Sequence, residues 1–198
     1  RAFNQAFSEA ELDWNWSSEE YQRLLTKSGG CERIENYAIQ RDVDVDAKQL
    51  HSQKTKIFDS LMTKETILLR PGAASLINHA LDNSLLLAFV TNTSEVNVDA
   101  VFFALGDQIK RSDFSFIGND TMVSNPKPSP DIYLKTLSEL RLDAKDCIAI
   151  EDSEISMQSA LAAAIRCIGF PGANTQGNDF SGAALVTDHL SVDDLTEL

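Results

Sequence analysis

From Ile67 onward, short apolar runs alternate with amphipathic stretches of helical length, and this pattern commits that part of the chain to an α/β fold: a parallel sheet with helices on both faces. The runs read as strands at Leu85 to Val90, Phe114 to Ile117, Cys147 to Ile150, Cys167 to Phe170 and, more faintly, Ala184 to Thr187. Between them the spacing of apolar residues predicts helices over Ala73 to Leu81, Ser94 to Leu105, Pro130 to Leu140 and Glu154 to Ala164.

The first 66 residues carry no such alternation and read as helices only, so a domain boundary is expected near Thr66. Ser17-Ser18-Glu19-Glu20 has the form of a capping box, with Ser17 as N-cap, and opens a helix that Gly29-Gly30 is expected to stop. A third helix passes through Ile34, Tyr37 and Ala38. A fourth starts near Asp46 and keeps Leu50, Ile57, Phe58, Leu61 and Met62 on its inner side. Together they predict a small helical bundle. Ala2, Phe3, Ala6, Phe7 and Ala10 already stand at helical spacing, so the numbering is expected to begin partway along a helix of a longer product.

An open parallel sheet binds ligands beyond the carboxyl ends of its strands, which directs attention to the polar residues that follow each apolar run. Leu86 to Val90 is followed by Thr91-Asn92-Thr93-Ser94: a hydroxyl, a backbone amide and a helix N-terminus, all donors toward an anion. Cys147 to Ile150 is followed by Glu151-Asp152-Ser153, adjacent carboxylates that repel unless a hard cation such as Mg²⁺ joins them. In Asn125-Pro126-Lys127-Pro128-Ser129-Pro130-Asp131, prolines flank one lysine and aim its ammonium at low entropic cost, as a clamp on a phosphoryl group requires. Each signal also has a plainer explanation. Ser94 can simply cap a helix, Asp152 or Ser153 can cap the next one, and Lys127 can be an exposed lysine in a stiff loop.

The net charge of -13, from 30 acidic and 17 basic residues, excludes a broad nucleic-acid or anionic-membrane surface, so a phosphorylated substrate must meet a local positive site. The three cysteines, Cys31, Cys147 and Cys167, lack disulfide or zinc spacing and are expected as reduced thiols, which fits a cytoplasmic setting. His51, His79 and His189 lack ligand spacing and are expected to have no catalytic role.

In combination the three strand-end signals are far more specific. A hydroxyl after one strand, a proline-braced lysine 36 residues later and an acidic pair 24 residues beyond it resemble motifs two, three and four of the haloacid dehalogenase superfamily. Leu69-Arg70-Pro71-Gly72, Lys127-Pro128-Ser129-Pro130-Asp131-Ile132-Tyr133 and Glu151-Asp152-Ser153 look like its β-phosphoglucomutase and CbbY-like branch. Ala2-Phe3-Asn4-Gln5-Ala6-Phe7 and the Gly29-Gly30-Cys31-Glu32-Arg33 turn look most like CbbY-type phosphatases. Ser156, where the family usually has glycine, and the loop Gly118 to Ser124 depart from its pattern.

The resemblance implies a Rossmann-like core at 67–198 and a helical cap at 1–66, with phosphate-ester hydrolysis through an aspartyl-phosphate. It implies that Thr91, the Asn92 amide and Thr93 hold phosphate oxygens. Lys127 would neutralise charge on nucleophile and phosphoryl group, and Asp152 with Glu151 would anchor Mg²⁺. Arg33, otherwise a surface arginine on the third helix, aligns with a cap arginine that contacts a distal phosphate in relatives, so the expected substrate is a small phosphorylated sugar. The family's nucleophilic aspartate, on the first and central strand, is not in this sequence and is expected upstream of Arg1. The resemblance further implies a monomer in the cytosol or a plastid. Competing expectations are a mutase of the β-phosphoglucomutase kind and a catalytically inactive binding protein. A phospho-receiver domain fits poorly, because its acidic pair precedes the lysine.

Overall fold

The computed structural model describes residues 1–25, 29–62 and 67–196. Contacts divide the chain into two compact units, Arg1–Thr66 and Ile67–Leu198. The boundary expected near Thr66 falls at residues 63–66, outside the described residues.

In the first unit the described helices are α1 (Ala2–Glu9), α2 (Ser18–Leu24), α3 (Gly30–Arg41) and α4 (Ala47–Met62). Ser17 caps α2 by accepting the Glu20 N–H at 3.1 Å, while the Glu20 carboxylate pairs with Arg23. The core is largely aromatic: Phe3, Phe7, Trp14, Trp16 and Tyr37 pack with Ile34 and Leu50, and the Trp16 ring lies 4.8 Å from both Phe3 and Phe7. Asn4 fixes the joint between α1 and α2 by accepting from Trp16 N and donating to Trp16 O, each at 2.9 Å.

Gly29-Gly30 does not stop α2, which has already ended at Leu24. Gly29, at φ 100°, is the N-cap of α3 and Gly30 its first residue, so Arg33 stands in the first turn of a helix rather than in a loop. Packing explains the placement. A Cβ on Gly30 would lie 2.5 Å from His51 Nε2, so glycine lets α4 approach α3 there.

The second unit contains β1 (Ala88–Val90), β2 (Phe116–Gly118), β3 (Ile148–Glu151), β4 (Arg166–Gly169) and β5 (Leu185–Val186). All described pairings are parallel: β1 with β2, and β3 with β4 and then β5. The helices α5 (Ala73–Asp82), α6 (Glu95–Leu105), α7 (Asp131–Leu140) and α8 (Glu154–Ala162) surround them, giving the expected Rossmann-like mixture. The first strand is shorter than its apolar run. Leu85 and Leu86 are exposed, because the Leu85 N–H closes the end of α5 on Ala80 O before the chain joins the sheet.

Leu69-Arg70-Pro71-Gly72 works as a latch. The Arg70 guanidinium stacks 3.5 Å from the Phe170 ring centroid and donates to Phe170 O at 2.5 Å and Pro171 O at 2.7 Å. Gly72 has φ 82°, and a Cβ there would fall 1.8 Å from Leu190 O, so only glycine lets the chain before α5 pass the C-terminal segment. Among the described residues no helix is long and apolar enough to cross a membrane.

Candidate active site

Pairing geometry decides which backbone groups of the two sheets are committed. Thr91 N donates to Gly118 O and Ser115 N to Leu87 O, so alternate residues of β1 face β2 and the Val90 carbonyl faces the other side. That carbonyl accepts from Lys127 Nζ at 3.0 Å. The same ammonium donates to Glu151 Oε1 at 2.6 Å, at the end of β3. One side chain thus ties together the carboxyl ends of β1 and β3.

Lys127 is buried, with 2% of its surface exposed, and its backbone is gripped by Asn92. Asn92 Oδ1 accepts from Lys127 N at 2.9 Å and Nδ2 donates to Lys127 O at 3.3 Å. Further bonds close the loop around it. Asn125 Nδ2 and Ser129 Oγ both donate to the Asp131 carboxylate, and Ser159 of α8 donates to Ser129 O at 2.6 Å. The bond from Ser129, then that from Asn125, holds the Asp131 carboxyl below the usual range. The prolines stiffen the loop, but these hydrogen bonds anchor it.

Glu151 is buried too and accepts on the same oxygen from the Tyr133 hydroxyl. The Lys127 ammonium lies 4.9 Å from the Tyr133 ring centroid. Burial first, and the Glu151 charge second, push the Tyr133 hydroxyl far above its ordinary pKa, so it stays a neutral donor. Burial and the same carboxylate push the Cys167 thiol up to about 12, which makes it inert.

The remaining strand-end residues divide by role. Thr91 Oγ1 accepts from Thr93 N at 3.2 Å and Thr93 Oγ1 accepts from Asn97 Nδ2 at 2.6 Å, which folds the Thr91–Ser94 segment tightly over the start of α6. Ser94 does cap α6, accepting from Asn97 N at 3.4 Å. Neither Asp152 nor Ser153 caps α8 through its side chain; Asn178, from the segment after β4, accepts the Glu154 N–H at 3.1 Å instead. Asp152 is therefore an exposed carboxylate at a strand end with no capping duty.

A hard cation suits this all-oxygen donor set, and Asp152 is its uncommitted member. Glu151 has one oxygen already engaged by Lys127 and Tyr133. Among the described residues no three carboxylate, histidine or cysteine side chains gather, so these residues would furnish a minority of a six-oxygen shell.

Arg33 belongs to the other unit, where α3 and α4 meet at Gly30 and His51. One turn further along each helix stand Arg33 and Lys54. Arg33 lies over the Tyr21 ring at 5.6 Å and donates from Nε to Leu24 O at 2.8 Å; Lys54 Nζ lies 5.2 Å from Phe3. Burial leads in lowering the pKa of Arg33, His51 and Lys54, and the charges of Arg33 and Lys54 push His51 further down. This basic cluster was not anticipated beyond Arg33. Its signal is in the sequence: Lys54 interrupts the apolar stripe Leu50, Ile57, Leu61 of α4. Tyr133 was missed as well, because apolar spacing registers its ring and not its hydroxyl.

Comparison with known proteins bears on the chain as a whole. The sequence profile described as haloacid dehalogenase-like hydrolase matches residues 1–170. Protein CbbY of Cereibacter sphaeroides is 39% identical over 194 residues, covering 96% of this chain and 84% of that protein. A crystal structure of a CbbY mutant from Rhodobacter sphaeroides, in complex with xylulose-(1,5)bisphosphate, superposes with a TM-score of 0.88 at 39% identity, covering 96% of this chain and 85% of that one. β-Phosphoglucomutase from Clostridium difficile, at 18% identity and TM-score 0.77 over 99% of this chain and 86% of that one, shares the fold.

Proposed function

The chain belongs to the haloacid dehalogenase-like hydrolases, and from that membership we propose that it acts as a Mg²⁺-dependent phosphatase of small sugar bisphosphates, with xylulose-1,5-bisphosphate as the model substrate. The observation that carries this reading is the buried Lys127 ammonium, held between Val90 O at the end of β1 and Glu151 Oε1 at the end of β3.

In this reading the nucleophile is an aspartate on a strand of the parent protein that lies between β1 and β3, upstream of Arg1. Support comes from the edges: among the described residues β1 pairs on one side with β2, β3 pairs on one side with β4, and the Val90 carbonyl faces away from β2. The aspartate oxygen attacks phosphorus, the bond from phosphorus to the sugar oxygen breaks, and that oxygen takes its proton from the second aspartate that the family carries two residues after the nucleophile, which later recovers a proton from the attacking water. Water then attacks the aspartyl-phosphate, frees inorganic phosphate and restores the carboxylate.

Lys127 opposes the negative charge that builds on the phosphoryl oxygens, and Asn92 holds it in position. Thr91, the Asn92 backbone amide and Thr93, before the N-terminus of α6, donate to phosphate oxygens. Asp152, with Glu151 beside it, would hold Mg²⁺, which supplies further charge neutralisation when bound. The 1–66 unit is the cap, and Arg33, with Lys54 beside it, offers positive charge for the distal phosphate. Three free cysteines support a cytoplasmic or plastid-stromal setting.

Phosphate release from sugar bisphosphates and monophosphates, followed with the full-length protein in Mg²⁺, tests the reading. The expected result is one equivalent of phosphate per bisphosphate and a higher kcat/KM than for the monophosphate.

A further inference from the structure

We propose that Tyr133 is a positioning residue that sets how much of the Lys127 charge reaches the substrate, by sharing Glu151 Oε1 with the Lys127 ammonium. The inference rests on the reading of Lys127 as the cation facing the phosphoryl group.

The geometry is a three-way junction at one oxygen. Lys127 Nζ donates to Glu151 Oε1 at 2.6 Å and the Tyr133 hydroxyl donates to the same atom. All three residues are buried, at 2%, 6% and 8% exposure for Lys127, Tyr133 and Glu151. In so dry a place a lone carboxylate facing a lone ammonium would hold it tightly and cancel its field. A neutral donor on the same oxygen takes up part of the carboxylate's negative charge, so less of the ammonium's field is cancelled. The ring contributes separately. Its face lies 4.9 Å from Nζ, and its edges pack in the core around Ile132, Ala149, Met157 and Phe180. Ring and hydroxyl therefore have different duties, which a single atom change can separate.

Nothing else on α7 could replace the hydroxyl. Thr136 donates back to Ile132 O at 2.7 Å, and Asp131 is occupied at the helix start by Ser129 and Asn125. Tyr133 follows Lys127 by six residues, so the lysine loop and the hydroxyl that moderates the lysine's partner are delivered by one continuous segment.

Tyr133→Phe keeps the ring and removes the donor. In the full-length enzyme the expected result is a fall in kcat of about tenfold or more with KM little changed, since a charge felt in the transition state is lost and ground-state binding is not. The same substitution in a Glu151→Gln background should cost less than about threefold further, because the hydroxyl acts through that carboxylate. Unchanged kcat in Tyr133→Phe, or equal losses in both backgrounds, would overturn the proposal. A second readout does not depend on turnover. In ¹⁵N-lysine spectra of the full-length protein, the Lys127 Nζ resonance should move in Tyr133→Phe and stay in place when that change is added to Glu151→Gln. Equal movement in both backgrounds, or none in either, also overturns it. If the phenylalanine variant fails to fold, 3-fluorotyrosine at position 133 retains ring and donor and strengthens the bond. It should also move the Nζ resonance, and an unmoved resonance counts against the proposal. Failure of the proposed function would show as absence of phosphate release by the wild-type enzyme, with the spectroscopic coupling intact.

Discussion

Asn92 holds the peptide of Lys127 at both ends, its Oδ1 accepting from Lys127 N at 2.9 Å and its Nδ2 donating to Lys127 O at 3.3 Å. The residue after Thr91 thus positions the backbone of the lysine loop. Asn92→Ala should lower stability by about 1–3 kcal/mol, because it strands two half-buried backbone groups. It should lower kcat by roughly 100-fold through misplacement of the ammonium. Asn92→Asp, which keeps the acceptor, should fall between the two. Urea unfolding and steady-state phosphate release check both effects.

Lys127 and Glu151 should behave as a unit in stability and separately in catalysis. Lys127→Met leaves a buried carboxylate without its cation and should cost about 3–5 kcal/mol. Adding Glu151→Gln should recover much of that loss, since two neutral groups of similar volume replace the pair. Activity should remain absent in the double variant. Thermal melts beside activity assays separate the two outcomes, and a double variant as unstable as the single one would speak against a buried ion pair.

Gly72 offers a backbone test. Gly72→Ala places a Cβ 1.8 Å from Leu190 O at φ 82° and should destabilise the second unit by roughly 2–4 kcal/mol. Gly177→Ala, with no atom within 4 Å of the new Cβ, should stay within about 0.5 kcal/mol of the parent. Denaturant midpoints of the two variants make the comparison.

His51 should make stability depend on pH. Its pKa is lowered in the fold, by burial first and then by Lys54 and Arg33, so between the folded pKa and the ordinary value of 6.5 the unfolded chain binds more protons. Its contribution is therefore complete above 6.5 and declines as pH falls through that value toward the folded pKa. His51→Gln should flatten this part of the profile. Melting temperatures of both proteins from pH 7.5 to 5 provide the check, with parallel profiles counting against the effect.

Strand ends were the most legible features of the sequence. The strands end at Val90, Gly118, Glu151 and Gly169, within one residue of the ends read from the apolar runs at Val90, Ile117, Ile150 and Phe170, and the alternation of those runs with helices admits little but a parallel sheet. Beginnings were less legible: Leu85 and Leu86 look like strand, yet a turn after α5 claims them, and hydrophobicity alone does not distinguish those uses. Gly29-Gly30 reads locally as a stop, while the requirement it meets is the close approach of His51 from a helix not yet reached in the sequence. The same holds for the cap of α8, supplied by Asn178 across 24 residues, and for Tyr133, whose hydroxyl matters only because Glu151 lies beside it. Lys54 is the one such residue that left a local trace, as a lysine on an apolar stripe.

The most direct test of the account is phosphate release from xylulose-1,5-bisphosphate by the full-length protein in Mg²⁺, measured beside its Lys127→Met variant. The account predicts steady turnover with one phosphate freed per molecule, and a loss of at least about 1,000-fold in kcat when Lys127 is replaced. Absence of phosphate release by the wild-type protein, or a Lys127→Met variant that retains most of the wild-type rate, would contradict it.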